Sequence, residues 1–143
     1  MQPDTYHDFP HPEYFDDKTR FGWSEEKRID RALFFLGVTH SGTYWHKHTV
    51  ANNAVVHGRK RWLLLAPTIK LPGPHMNNGM TMVEWIEKYY DEAKPLDCIQ
   101  EAGTILHIPE RWMHATINLE DTIGIAVEAG PAKLWWFNSQ LRA

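Results

Sequence analysis

Two histidines that stand one residue apart, His46 and His48, could bind the same metal ion. They lie in an alternating segment, and because strand side chains repeat every two residues, both imidazoles are predicted to project from one face. Histidine is the commonest protein ligand of metals. Nine histidines in 143 residues give roughly 0.6 such pairs by chance, so the spacing alone leaves a solvated or hydrogen-bonded pair as the alternative.

A third histidine, His114, follows a strand and a proline-containing turn in the segment 103–114. It shares one face of a predicted strand with Thr116 and Asn118, because these positions alternate with an apolar row: Met113, Ala115 and Ile117. His114 is therefore expected to face a polar cavity. With the earlier pair it would give a divalent ion three protein ligands on one side, a facial triad that leaves other coordination positions open.

The elements that would position these histidines are short strands. From residue 32 onward, apolar runs are separated by turn residues at close spacing, which is typical of an all-β sandwich or barrel. Eight short strands fit a jelly roll, whose two sheets and two Greek keys leave few exposed edges. We predict these strands at approximately 32–38, 43–48, 52–57, 60–66, 96–100, 104–108, 112–118 and 122–128.

One segment, about 71–95, departs from the strand pattern and predicts a helical insertion. Thr81 and Glu84 have the spacing of a capping box, in which each side chain binds the backbone of the other residue. Five apolar residues then fall on one stripe of an amphipathic helix: Met82, Trp85, Ile86, Tyr89 and Tyr90. We therefore predict a helix near 81–93 that packs on a sheet.

The chain divides into a lead-in, a domain and a tail. Residues 1–31 read as an irregular lead-in, residues 32–129 as the jelly roll and residues 130–143 as an aromatic tail. Four large apolar residues are consecutive in the tail: Leu134, Trp135, Trp136 and Phe137. Such a patch either folds back over the end of the barrel or, if exposed, forms a surface for a protein partner.

Composition argues against several classes of protein. Fifteen Lys and Arg against 18 Asp and Glu give a net charge of −3, unlike the basic profile of a nucleic-acid binder. The longest apolar run, 62–66, is far shorter than the ~18 residues of a spanning helix, so we expect a soluble chain without a membrane span. A single cysteine, Cys98, excludes an intramolecular disulfide and weakly favours a reducing compartment.

Three blocks of the sequence resemble one enzyme family when taken in order. They lie at 42–48, which contains His46-Lys47-His48, at 52–67, which contains Gly58-Arg59-Lys60-Arg61-Trp62, and at 103–114. Over about residues 32–129 the chain looks like the Jumonji-C (JmjC) or cupin-like group of iron(II)- and 2-oxoglutarate-dependent dioxygenases. The resemblance implies a double-stranded β-helix, an eight-stranded jelly roll.

The resemblance also implies a ligand set. His46 matches the first metal ligand of the family and His114 the last. His48 stands where most active members carry Asp or Glu, and in this respect the chain resembles the small JmjC-like members that share an H-x-H. The metal so implied is Fe(II).

Three further residues are candidates for binding 2-oxoglutarate. By the resemblance, Lys60 matches the cation that pairs with the far carboxylate of this cofactor, and Thr43 matches a hydroxyl that often joins it. A dicarboxylate that chelates iron at one end needs such a cation and donor at the other. Asn118, four residues after His114 and on its face, is the third candidate.

Two functions remain open at this stage. One is a non-haem iron, 2-oxoglutarate-dependent oxygenase of the hydroxylase type, acting on a peptide or a small molecule. The other is a catalytically inactive JmjC-like jelly roll that serves as a structural or interaction subunit of a larger complex. Lys60 and Thr43 favour the enzyme. His48 favours the inactive module, because three neutral histidines leave the full +2 charge of the ion where a carboxylate would lower it by one.

Overall fold

Eight strands and one helix make up the part of the chain that the structure describes. The computed structural model describes residues 28–74 and 79–131. In chain order, its elements are β1 (Arg28–Gly37), β2 (Gly42–His46), β3 (Val50–His57), β4 (Arg59–Leu65), α1 (Met82–Ala93), β5 (Leu96–Glu101), β6 (Thr104–Ile108), β7 (Met113–Asn118) and β8 (Thr122–Pro131).

The strands form two four-stranded sheets, and every described pairing is antiparallel. One sheet has the order β1-β8-β3-β6 and the other β2-β7-β4-β5. Strands that follow one another in sequence lie in different sheets, except β4 and β5, which pair with each other, and this alternation between two sheets is typical of a jelly roll. The predicted all-β jelly roll with one inserted helix is confirmed.

Each predicted strand overlaps an observed one, and the ends differ in two informative places. β1 begins at Arg28, four residues earlier than predicted, because it pairs with β8 along its whole length, from Arg28↔Pro131 to Gly37↔Thr122. β2 ends at His46, two residues earlier than predicted. The lead-in up to residue 27 and the tail from residue 132, including 134–137, lie outside the described residues.

The chain passes from one sheet to the other at Gly58, between β3 and β4. Gly58 has a φ of +80°, and a Cβ at this position would lie 2.1 Å from the carbonyl oxygen of Asp121. Both the left-handed backbone and the close approach require glycine. This turn fixes where β4, which carries Lys60, begins.

Helix α1 begins and ends as its sequence predicts. Thr81 is the N-cap, with its Oγ1 accepting from the Glu84 N–H at 3.2 Å, while the Glu84 carboxylate accepts from the Thr81 N–H at 2.6 Å. The helix ends at Ala93, and Lys94 takes a left-handed conformation just before Pro95. No helix within 28–74 and 79–131 is long and apolar enough to cross a membrane.

Strands β4 and β7 present opposite chemistry on their two faces. The outer face packs against α1 in a cluster with fully buried Trp85 and contains Leu63, Leu65, Ala115 and Ile117. The inner face, which is directed toward the other sheet, carries the residues that alternate with these along each strand: Lys60, Trp62, His114, Thr116 and Asn118. The predicted split of β7 into an apolar row and a His114 row is therefore observed.

Replacing Thr81 by alanine removes one half of the capping box. We expect Thr81→Ala to lower the free energy of unfolding by about 1 kcal/mol, the usual cost of losing such a cap. Thr81→Ser, which keeps the hydroxyl, is the matched control and should retain most of the stability. Urea denaturation of both variants measures this, and equal stability of the alanine variant and the wild type would contradict the assigned cap.

Candidate functional site

The three histidines of the sequence prediction converge between the sheets. His46 is the last residue of β2 and is directly opposite His114 of β7 in the strand register. The ring centroids are 4.1 Å apart for His46 and His114, 4.6 Å for His48 and His114, and 5.5 Å for His46 and His48. One ring nitrogen of each residue lies within 4.8 Å of the other two. The three residues could therefore hold one metal ion.

Each imidazole of this triad is held by a backbone carbonyl at Nδ1. His46 Nδ1 is 2.8 Å from the Tyr44 oxygen, His48 Nδ1 is 2.6 Å from the Thr49 oxygen, and His114 Nδ1 is 3.0 Å from the Trp112 oxygen. A carbonyl only accepts, so Nδ1 must carry the proton and Nε2 the lone pair. This is how metal-binding histidines are commonly oriented, with the second nitrogen fixing the tautomer.

His48 reaches the triad from outside β2. The sequence placed it on the strand face of His46, whereas the strand ends at His46 and His48 lies in the connection to β3. The His48 carbonyl accepts from the Arg111 N–H at 3.0 Å, which ties this connection to the turn before β7. The convergence therefore comes from a loop contact and not from strand alternation alone.

An irregularity in β2 sets the direction of Thr43. Thr43 is opposite Thr116 and His46 is opposite His114, so β2 has one more residue than β7 between these pairs. Such a bulge puts Thr43 and His46 on the same face, although three residues separate them. The Thr43 N–H donates to Thr116 Oγ1 at 3.2 Å, and the Thr43 residue is exposed.

His114 is the most deeply buried member of the triad, with 1% of its surface exposed. Burial, and then repulsion from His46 and His48, hold the pKa of His114 well below its usual range. The ring is therefore neutral at pH 7. A neutral imidazole with its lone pair on Nε2 is the protonation state that binds a metal ion.

Lys60 supplies a buried positive charge on the same inner face. It is 7% exposed, and burial lowers its pKa to about 8. Its ammonium lies 3.9 Å from the ring centre of Phe35 and 5.8 Å from that of Trp62, and no carboxylate in the described part of the chain forms an ion pair with it. A buried cation of this kind suits an anionic ligand, because burying an unpaired charge is costly.

Trp62 lies between Lys60 and the triad and is fixed by a buried amide. Its ring is 5.9 Å from that of His114. Its Nε1–H donates to Gln100 Oε1 at 2.8 Å, and Gln100 Nε2 donates to the Asn53 carbonyl oxygen at 2.7 Å. These two hydrogen bonds join β4 and β5 of one sheet to β3 of the other.

Comparison with known proteins shows the family of this chain. The chain is 34% identical over 129 residues to arginine-specific demethylase JMJ22 of Arabidopsis thaliana, a match that covers 80% of this chain and 26% of the relative. It is 38% identical over 94 residues to JmjC domain-containing protein 8 of Mus musculus, covering 63% of this chain and 34% of the relative. The chain belongs to the JmjC family. No family model matches it.

A solved structure supports the fold of this JmjC chain. YcfD, a ribosomal oxygenase from Escherichia coli, superposes with a TM-score of 0.53 at 22% identity, over 78% of this chain and 26% of that one. At this identity the likeness concerns the fold. The chain spans about a quarter to a third of the length of JMJ22 and the mouse protein, so it corresponds to one part of each.

The remaining candidate for binding 2-oxoglutarate, Asn118, also lies on the inner face. Asn118 is buried and is opposite Lys60 in the register. Its Nδ2 donates to Ser41 Oγ at 2.8 Å, while its Oδ1 is buried without a hydrogen-bond partner in the described chain. Its amide therefore braces the turn that precedes β2. The arginines that flank Lys60 pair at the surface, Arg59 with Glu120 and Arg61 with Asp97.

Two buried polar residues of this JmjC site were missed by the sequence analysis. Gln100 fixes Trp62, and Glu128 of β8 places a carboxylate oxygen 3.8 Å from His48 Nε2. Neither belongs to a motif. The only available signal was a polar residue within a predicted strand, which in most strands simply faces solvent.

Removing the buried charge of Lys60 should stabilise the protein at neutral pH. Because the pKa of Lys60 falls from 10.5 to about 8 on folding, folded and unfolded chains are both protonated at pH 7, and the folded state bears the burial cost. We expect Lys60→Met to raise the free energy of unfolding at pH 7 by about 1–3 kcal/mol, at about 1.36 kcal/mol per pKa unit.

The advantage of Lys60→Met should also shrink as the pH rises from about 8 toward 10.5, because wild-type folded Lys60 is then neutral while the unfolded chain still binds the proton. Chemical denaturation at pH 7, 8.5 and 10 measures this. Lys70→Met, at an exposed position, is the matched control and should change little. A pH-independent difference would contradict the assigned cause.

Proposed function

We propose that this chain is the iron-binding jelly roll of a 2-oxoglutarate-dependent oxygenase of the hydroxylase type. The observation that carries the proposal is the convergence of His46, His48 and His114, each with its Nδ1 within hydrogen-bond distance of a backbone carbonyl. Membership of the JmjC family supports Fe(II) as the ion. Neutral imidazole suits iron among other first-row metals.

The chain's own groups then divide between the two cofactors. The triad would hold Fe(II), and Lys60 with Thr43 would bind the far carboxylate of 2-oxoglutarate. Lys60 pairs with Asn118, which is four residues from His114 along β7. At the usual rise per strand residue, the backbone of Lys60 is therefore about 13 Å along the strand from the level of His114. A dicarboxylate that reaches from the ion toward a long lysine side chain fits this span. The bound iron and 2-oxoglutarate would together activate O2: one oxygen atom would enter the C–H bond as a hydroxyl group, and the other would enter the succinate formed as 2-oxoglutarate loses CO2.

The substrate is proposed to be a peptide side chain or a small molecule. The name of the relative JMJ22, an arginine-specific demethylase, favours the peptide. Next to the triad on the inner face lie the indole of Trp62 and, beyond it, the charge of Lys60, and both groups are buried.

One observation favours a second function, a catalytically inactive jelly roll that acts as a structural or interaction subunit of a larger complex. His48 replaces the carboxylate that most active family members carry at this place. In that case the triad would be a hydrogen-bonded cluster of imidazoles without a metal ion, and the tail residues 134–137 would be candidates for contacting a partner.

Metal and cofactor binding separate the two functions. We expect anaerobically purified protein to bind about one Fe(II) per chain and then 2-oxoglutarate. The His114→Ala variant should no longer bind a stoichiometric amount of metal. Lys60→Met should still bind the metal, but its affinity for 2-oxoglutarate should fall by about 10–100-fold, the effect of losing a charged hydrogen bond of about 1.5–3 kcal/mol. Metal analysis and isothermal titration calorimetry measure both.

The controls are exposed residues of the same type, His57→Ala for the triad and Lys70→Met for the lysine, and both should behave as wild type. A wild-type protein without stoichiometric metal would exclude the oxygenase and leave the interaction module. A wild-type protein that binds metal but not 2-oxoglutarate would retain the metal site and exclude this cofactor.

A further inference from the structure

A buried carboxylate from the opposite sheet faces the histidine triad. Glu128 of β8 is 9% exposed, and its Oε1 lies 3.8 Å from His48 Nε2. Glu128 is opposite Ala51 in the register, and Ala51 packs with Trp62 and Leu64 in the core between the sheets. The Glu128 side chain therefore points inward, toward the triad, and not toward solvent.

The atom that Glu128 faces is the ligand atom of His48. His48 Nδ1 donates to the Thr49 carbonyl, so the lone pair is on Nε2. A metal ion lies about 2.0–2.2 Å from a histidine nitrogen or a carboxylate oxygen, so two such bonds can bridge atoms up to about 4.2 Å apart. The observed separation of 3.8 Å falls within this limit, and a small approach of the two side chains would bring both atoms to the spacing of neighbouring ligands on one ion.

The charges of the pocket also favour a cation next to Glu128. Among the described side chains, no lysine or arginine pairs with this carboxylate, and the basic group next to it is the imidazole of His48. A buried carboxylate without a cation is costly. A divalent ion in the triad would neutralise it, and the carboxylate would in turn lower the net charge of the centre from +2 to +1.

We propose that Glu128 is the fourth protein ligand of the metal centre, which then consists of three histidines and one glutamate. The proposal rests on the metal site of the proposed function. Most active family members carry a carboxylate at the position of His48. In this chain the negative charge would come instead from Glu128 on a different strand, β8. In this way the centre regains the net charge that a His-x-Asp/Glu set would have given it.

Metal binding by the whole chain tests this inference. Apo wild type, Glu128→Gln and the control Glu87→Gln would be titrated with Co(II), whose absorption spectrum reports the number of ligands. Glu87 is exposed on α1, on the outer side of the β2–β7–β4–β5 sheet, so its substitution matches the loss of charge without touching the site. We expect Glu128→Gln to bind Co(II) about 10–100-fold more weakly, with an altered spectrum, and Glu87→Gln to match wild type.

A double variant tests whether the carboxylate can be returned to its usual place. His48→Asp combined with Glu128→Gln should recover most of the Co(II) affinity that Glu128→Gln loses, because one carboxylate is again next to the ion. A purely structural role of Glu128 would not be rescued at position 48. Unchanged thermal unfolding of the apo variants would show that each one folds.

The outcomes separate this inference from the proposed function. Wild type that binds no metal would exclude the metal site itself. Wild type that binds metal, together with a Glu128→Gln variant of equal affinity and identical spectrum, would overturn the role of Glu128 and leave the triad. A crystal structure of the Co(II)-loaded wild type decides without any variant, with a Glu128 oxygen expected about 2.0–2.2 Å from the ion. A longer separation would overturn the proposal.

Discussion

The site depends on the antiparallel pairing of β7 with β2 on one side and with β4 on the other. This register puts His46 and Leu64 opposite His114, and Trp62 opposite Thr116. Because strand side chains alternate, a slip of one residue would turn the His114 row toward α1 and bring the apolar row of β7 into the cavity. The apolar packing beneath Trp85 therefore holds the register that the polar face requires.

The inner face tolerates an unusual set of buried groups. A lysine and a histidine with lowered pKa values, Lys60 and His114, lie between the sheets together with the carboxylate of Glu128, and burial of such groups costs free energy. A core selected for stability alone would not keep them. Perturbed groups of this kind gather at functional sites, where a ligand or an ion supplies the missing partner.

Local pattern was sufficient for most of the fold. The capping box of Thr81 and Glu84 and the apolar stripe of the helix depend on neighbours three or four residues apart, and both are present. The eight strands follow from alternation and turn residues. The start of β1 could not be placed in this way, because the strand continues as far as β8 offers a partner, and that pairing joins residues far apart in sequence.

Residue order alone was enough to predict the fold class, the two faces of β7 and which three histidines meet, because side-chain periodicity and the order of the motif blocks are written along the chain. How the three histidines meet became clear from contacts between elements that are distant in sequence. His48 reaches the triad through a loop tied to Arg111, Thr43 joins its face through a bulge, and Glu128 arrives from the other sheet. These depend on distances across the barrel, which residue spacing along the chain does not contain.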